Sequence, residues 1–239
     1  MLSINNITFK YGESDDLIFE DFSLELKENQ ITAILGPSGS GKTTLANLVA
    51  GYLKPDKGEI ILDNNKITNP GRDRVVINQE NDLFDWMNVY QNLKLVTNNN
   101  NLISSLLQLT QLEEYGDYYP AKLSGGMKKR LSFARALAVE SKFVIMDEPF
   151  GSQDINIKSQ MHKELLKIAK SQKKTILLIT HDIDEACFLS DRIIVISGRP
   201  LKIIKDYCAP FFGDQKEEGS KDDVELLRKQ LILLGYNIK

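Results

Sequence analysis

The chain has 239 residues, with 30 Lys+Arg against 33 Asp+Glu for a formal net charge of −3, and is 42% hydrophobic and 26% charged. That is the balance of an ordinary soluble globular protein with length for one large domain or two small ones, and it argues against nucleic-acid binding through bulk positive charge. The longest apolar runs, such as Ile176-Leu177-Leu178-Ile179, fall far short of the roughly 20 residues of a membrane helix, and Cys187 and Cys208 form neither a CxxC pair nor a disulfide framework.

The start, Met1-Leu2-Ser3-Ile4-Asn5-Asn6, has no basic or apolar segment of the kind a signal peptide carries. Residues 2–9 and the run Phe22, Leu24, Leu26 alternate in hydrophobicity and read as half-buried antiparallel strands. Ile31 to Leu35 is a continuous β-favouring run, as expected of a strand buried on both faces. Thr43 to Ala50 reads as a helix closed by Gly51. Asn88 to Val96 and Leu102 to Leu112 read as two helices of an insertion that interrupts the sheet, with Asn98-Asn99-Asn100-Asn101 as the loop between them. Phe143 to Met146 and Thr175 to Ile179 are further buried strands, each preceded by a helical pattern. Residues 193–196 and 201–204 form a hairpin around Ser197-Gly198-Arg199-Pro200. This alternation predicts an α/β fold with a mainly parallel central sheet. A polar linker over 216–223 leads to a last amphipathic helix carrying Val224, Leu227, Leu231 and Leu234, which either docks on the domain surface or regulates it.

Gly36-Pro37-Ser38-Gly39-Ser40-Gly41-Lys42-Thr43 fits G-x-x-x-x-G-K-[ST] between a predicted strand and helix. Glycines let such a loop turn its N–H groups onto phosphate oxygens, and the helix that follows adds its dipole. Lys42 would reach the β- and γ-phosphates, Thr43 would ligate Mg²⁺, and Thr44 would add a phosphate contact. The acidic partner is Asp147 at the end of the run Phe143-Val144-Ile145-Met146. Glu148 comes next and, by strand alternation, points to the other side, where it suits a general base acting on water. Two carboxylates favour hydrolysis over nucleotide storage. Leu123-Ser124-Gly125-Gly126-Met127 opens another helix, and its Ser-Gly-Gly reads as either an ordinary cap or a second phosphate grip. Lys128-Lys129-Arg130 reads as a solvated helix face.

The order of these motifs resembles the ATP-binding-cassette (ABC) ATPases over residues 2–204. The resemblance implies a P-loop NTPase core, an antiparallel β subdomain and a helical subdomain at about 88–135, all within residues 1–206, with residues 207–239 as a C-terminal extension. It implies a head-to-tail dimer, a homodimer or a pair with another such subunit, around two ATP. Ser124, Gly125 and Gly126 would contact the γ-phosphate held by the opposite P-loop. Gln79 matches the family's metal- and water-contacting glutamine, His181 its γ-phosphate histidine, Tyr11 its adenine-stacking aromatic and Asp154 its cross-dimer aspartate. Two departures stand out: Met127 replaces the usual Gln, and Ser152-Gln153 replaces the usual Ala-Leu before Asp154.

Local likenesses favour the importer branch serving nitrate, sulfonates, taurine, bicarbonate and vitamin precursors. They include Gln79 through Asp85-Trp86, Phe150-Gly151, Thr180-His181-Asp182 and Gly198-Arg199-Pro200. The expectation is a peripheral ATPase on the cytoplasmic side of the membrane, partnered by transmembrane permease subunits and indirectly by an extracytoplasmic substrate-binding protein. Asp82, Leu83, Phe84, Trp86 and Met87 would either line a groove for a permease helix or be buried. An exporter ATPase is the alternative. A soluble ATPase outside transport usually has a second cassette or coiled-coil insertion, and a GTP switch is disfavoured because Asn65-Lys66-Ile67-Thr68 lacks the guanine-reading Asp.

Overall fold

A computed structural model describes residues 1–13, 15–77, 83–151, 155–208, 225, 228 and 229. They fall into two compact units, Met1–Arg72 with Thr175–Lys239, and Asp73–Lys174.

In the first unit, β1 (Leu2–Lys10) pairs antiparallel with both β2 (Leu17–Leu26) and β4 (Lys57–Leu62). A two-residue strand, β5 (Asn65–Lys66), completes a sheet of order β2-β1-β4-β5. β1 buries Leu2 and Ile4 and then, one residue out of phase, Ile7 and Phe9. The slip falls where the pairing shifts register between Ile4 and Ile7 and Asn6 takes a φ of +48°, so the alternation holds on either side of an irregularity and not along the whole strand. No strand is expected from the sequence between Gly51 and Asn88, yet β4 and β5 lie there. Asp63 and Asn64 join them with φ of +48° and +66°, the left-handed pair that a tight hairpin turn requires.

β3 (Ile31–Leu35) is buried at every position and lies between two parallel neighbours, β8 (Thr175–Thr180) and β9 (Arg192–Ser197). A strand with parallel neighbours on both sides and a buried residue at every step is the expected outcome of a continuous apolar run. Each fully buried Ile or Leu here contributes about 1.5–3 kcal/mol of burial free energy. β10 (Lys202–Cys208) pairs antiparallel with β9, as the hairpin reading requires. α1 (Lys42–Ala50) follows β3, and Gly51 closes it. α6 (Ile183–Leu189) follows β8, with the Asp182 side chain accepting a hydrogen bond from the Glu185 N–H.

Arg192 at the start of β9 grips Asp206 of β10 with two hydrogen bonds of 2.9 and 2.6 Å. Those bonds hold the Asp206 carboxyl below its ordinary value of 3.8. A carboxylate whose pKa falls on folding contributes stability above its unfolded value and loses it as the pH drops through the folded one. The Asp206 side chain is 38% exposed, so solvent screening holds the contribution to about 1 kcal/mol or less. Asp206→Asn is therefore expected to lower the melting temperature modestly at pH 7 and to flatten the stability profile below about pH 4. Thermal melts across pH measure both, and superimposable profiles would contradict the pairing.

The last helix falls largely outside the described residues, as do Val224, Leu227, Leu231 and Leu234. Arg228, one of the few described residues there, donates to the Asp184 carboxylate of α6 at 2.6 Å.

In the second unit, β6 (Arg74–Ile77) and β7 (Phe143–Asp147) pair in parallel, with Ile77 opposite Met146. β6 is a further strand not expected from the sequence. Its helices are α2 (Val89–Lys94), α3 (Asn100–Thr110), α4 (Gly125–Ala138) and α5 (Ile155–Ser171). Asn88 is the cap of α2 rather than its first turn, exchanging hydrogen bonds of 2.8 and 2.9 Å with Gln91. The Asn run is likewise only partly a loop. The Asn99 side chain caps α3 by accepting from the Leu102 N–H, and Asn100 and Asn101 form the first turn.

Beyond α4, Lys174 is 2% exposed and donates to the carbonyls of Val139 and Ser141 at 3.1 and 2.8 Å. Burial pushes its amine below the usual lysine value.

Candidate functional site

β3 delivers the chain to Gly36 at its carboxyl end, where parallel α/β sheets place their ligands. A Cβ on Gly36 would lie 2.7 Å from the Ile196 side chain, so no larger residue fits that exit. The loop then reaches α1 through Gly41, whose φ of +102° no L side chain adopts without strain. Gly41 has no side chain to cap α1, and the first turn holds no acidic residue. The first N–H groups of this helix, which have no intrahelical acceptor, therefore form an anion site reinforced by the helix dipole.

Lys42 is 6% exposed, and its ammonium donates to the carbonyls of Gly36 and Pro37, both at 2.8 Å. Its charge is thus held against the loop. Thr43 is exposed, whereas Thr44 is buried and shares a 3.1 Å hydrogen bond with the Tyr11 hydroxyl. The Tyr11 ring is 49% exposed and rests edge-on against Phe9, which leaves an aromatic surface beside α1. His181 leaves β8 directly after Thr180, the residue in register with Leu35 of β3. The strand pairing therefore releases Gly36 and His181 side by side. His181 is exposed, between the strand end and a helix whose entry is fixed by the Thr180 hydroxyl accepting from the Asp182 N–H at 3.0 Å.

In the second unit, β7 ends on Asp147, which is 4% exposed. Glu148 lies beyond the strand and has a φ of +49°. Its direction is therefore set by a left-handed backbone and not, as the sequence reading has it, by strand alternation. A non-glycine residue in that region is uncommon and persists where its surroundings hold it. Here the next residues are pinned: Phe150 is 1% exposed, with its ring centroid 5.3 Å from that of Phe133 and 4.5 Å from that of His162. The Gly151 carbonyl accepts from the Lys129 ammonium at 3.1 Å.

Ser124 is exposed and caps α4, its hydroxyl accepting from the Met127 N–H at 3.2 Å. A Cβ on Gly125 would touch nothing within 4 Å, so open space fronts this helix N-terminus. The cap reading of Ser-Gly-Gly is thus realised, in a form that also leaves the turn facing outward. Lys128-Lys129-Arg130 is not the solvated face expected. All three residues are half-buried, Lys129 is bonded to Gly151, and the Arg130 Nε donates to the Thr110 carbonyl at 2.8 Å. Burial lowers the Arg130 pKa from its usual value.

Trp86 is 71% exposed, with Phe84 edge-on to it at 5.2 Å and the Arg135 guanidinium 5.2 Å from the Phe84 ring centre. The turn that carries Trp86 is organised by Asn92, a residue the sequence reading missed. Asn92 is fully buried, its amide donates to the carbonyls of Phe84, Met87 and Asn88, and its own carbonyl oxygen accepts from the Phe84 N–H. The available signal was a lone amide between the buried Val89 and Leu93 of α2. Gln79, Asp82, Ser152-Gln153 and Asp154 lie outside the described residues. Among the described residues no helix is long and apolar enough to cross a membrane, and no group of three or more His, Cys, Asp or Glu could hold a metal by itself.

A Gly-rich turn between a fully buried parallel strand and an uncapped helix, with a buried lysine folded against it, defines a P-loop nucleotide-binding protein. The sequence family described as ABC transporter matches residues 19–151, more than half of the chain. The taurine import ATP-binding protein TauB of Roseobacter denitrificans is 39% identical over 88% of this chain and 82% of its own length. TauB of Ruegeria pomeroyi is 38% identical over 100% of this chain and 95% of its own. Among solved structures, a dimeric ATP-binding cassette in a post-hydrolysis state bound to ADP and Pi superposes with a TM-score of 0.77 at 26% identity, covering 87% of this chain and 98% of that one. The chain belongs to the ABC transporter family and is an ATPase of it, a subunit that binds and hydrolyses ATP.

Proposed function

We propose that this chain powers import of a small organic or inorganic anion, or a vitamin precursor, through two transmembrane permease subunits fed by an extracytoplasmic substrate-binding protein. The observation that carries the import reading is the likeness, over nearly the whole chain, to proteins named for taurine import. The working unit is a head-to-tail dimer on the cytoplasmic face of the membrane, with two ATP between its copies.

Within each half-site, the loop 36–41 and Lys42 hold the phosphates and Tyr11 stacks on the base. Ser124, Gly125 and Gly126 reach the γ-phosphate from the opposite copy, and Asp154 carries the contact across the dimer. Thr43 and Asp147 are hard oxygen donors, one a helix-start hydroxyl and one a buried strand-end carboxylate. They suit Mg²⁺, which takes one or two protein oxygens and completes its shell from phosphates and water. Such a site needs no all-protein cage, consistent with the donors present. Thr43 and Asp147, with Gln79 as the family resemblance implies, would hold the metal, and the chemistry it would supply is neutralisation of phosphate charge. Glu148 takes the proton of the attacking water and His181 orients that water against the γ-phosphate.

Trp86, held outward by Asn92, is the anchor for a permease helix, since exposed tryptophans of this kind dominate docking energetics. Trp86→Ala should leave the melting temperature and the ATP affinity of the isolated chain unchanged while reducing permease co-purified from membranes about tenfold or more. Undiminished co-purification would sink the docking role. Isolation of the native complex tests the import reading, which requires permease subunits and ATP-dependent uptake by the reconstituted complex; ATP-dependent extrusion would refute it.

A further inference from the structure

The turn between β9 and β10 runs alongside the phosphate loop for most of its length. Ile196 fills the space beside Gly36, Leu201 lies 3.5 Å from where a Gly41 Cβ would sit, and the Leu201 N–H anchors the turn to the Ile18 carbonyl at 2.8 Å. Between these contacts, Arg199 sets two donors on one acceptor: its Nε and Nη2 lie 3.0 and 2.8 Å from the Gly39 carbonyl oxygen. Gly39 has a φ of +76°, and a loop with glycines at 36, 39 and 41 loses much conformational entropy when it closes on an anion.

We propose that Arg199 is a positioning residue of the nucleotide site, whose guanidinium fork fixes the Gly39–Ser40 peptide so that the Ser40 N–H faces the phosphates. The peptide is planar and trans, so its carbonyl and its N–H point in opposite directions. With the Gly39 carbonyl drawn out to Arg199, the Ser40 N–H turns inward, where it makes a long 3.3 Å bond to the Pro37 carbonyl. A bond of that length is readily exchanged for a phosphate oxygen. The fork thus meets part of the ordering cost before nucleotide arrives. Arg199 touches the loop and not the reacting atoms, so its effect falls on affinity.

The inference rests on residues 36–44 being the phosphate site, and Lys42→Ala serves as the control for that reading. Full-length wild type, Arg199→Ala, Arg199→Lys and Lys42→Ala are titrated with ATP·Mg²⁺ by calorimetry, with thermal melts and hydrogen exchange over residues 36–43 alongside. Arg199→Ala should raise the ATP Kd about 5- to 30-fold and speed exchange in the loop. Its melting temperature should stay within a few degrees of wild type, and turnover at saturating ATP within about twofold. Arg199→Lys keeps the charge without the fork and should recover only part of the affinity; it decides the matter if the alanine variant does not fold. An unchanged Kd in Arg199→Ala, or full recovery by lysine, overturns the proposal. Normal binding by Lys42→Ala would overturn the phosphate-site reading itself.

Discussion

Lys42→Ala is expected to weaken ATP binding by about 100-fold or more and to bring hydrolysis below detection. The Lys42 ammonium is folded against the loop by two 2.8 Å bonds to the Gly36 and Pro37 carbonyls. Alanine removes both braces together with the one positive side chain of the motif. On binding, the ammonium would give charge-assisted hydrogen bonds to phosphate oxygens, which contribute about 1.5–3 kcal/mol each, and two of them correspond to a factor of that size. Since α1 is held by Leu45, Leu48 and Val49, all buried, the variant should still fold. Calorimetric titration with ATP beside a thermal melt separates loss of the site from loss of the fold. Full affinity in a folded Lys42→Ala protein would move the phosphate site elsewhere.

Glu148→Gln should slow turnover by roughly 10²–10⁴-fold while leaving ATP affinity near wild type. The amide preserves size and hydrogen bonding but cannot take a proton from water. Its backbone should be preserved, because the left-handed turn is pinned by Phe150 and by the Lys129 contact to Gly151, neither of which involves the carboxylate. Single-turnover hydrolysis measured with equilibrium ATP binding gives the split. Wild-type turnover in this variant would remove Glu148 from the role of base.

The phosphate loop was legible in the sequence because its chemistry is contiguous: glycine-dependent turns, a lysine and a helix start within eight residues. The fully buried strands were legible for a similar reason, since a continuous apolar run with parallel neighbours is a local signal. β4 escaped because it begins with Lys57-Gly58-Glu59 and turns through Asp63-Asn64, with none of the glycine that marks most tight hairpins. What supports the site was illegible for a different reason. Arg199 and Gly39 are 160 positions apart, Lys129 and Gly151 are 22 apart, and in each pair one partner is only a backbone carbonyl. No side-chain pattern announces such a contact. The basic run at 128–130 shows the same effect, because its charge pattern gave no sign that Lys129 and Arg130 reach carbonyls brought in by other segments.

In the proposed dimer each ATP is shared between the phosphate loop of one copy and the Ser124-Gly125-Gly126 turn of another. Sedimentation velocity of full-length Glu148→Gln, with and without ATP·Mg²⁺, tests it most directly, because slow hydrolysis leaves the nucleotide in place during the run. The expected result is a monomer without nucleotide and a dimer with ATP, lost again when Ser124→Arg is added to close the open space before α4. A protein that binds ATP and stays monomeric, or a dimer indifferent to Ser124→Arg, would contradict it.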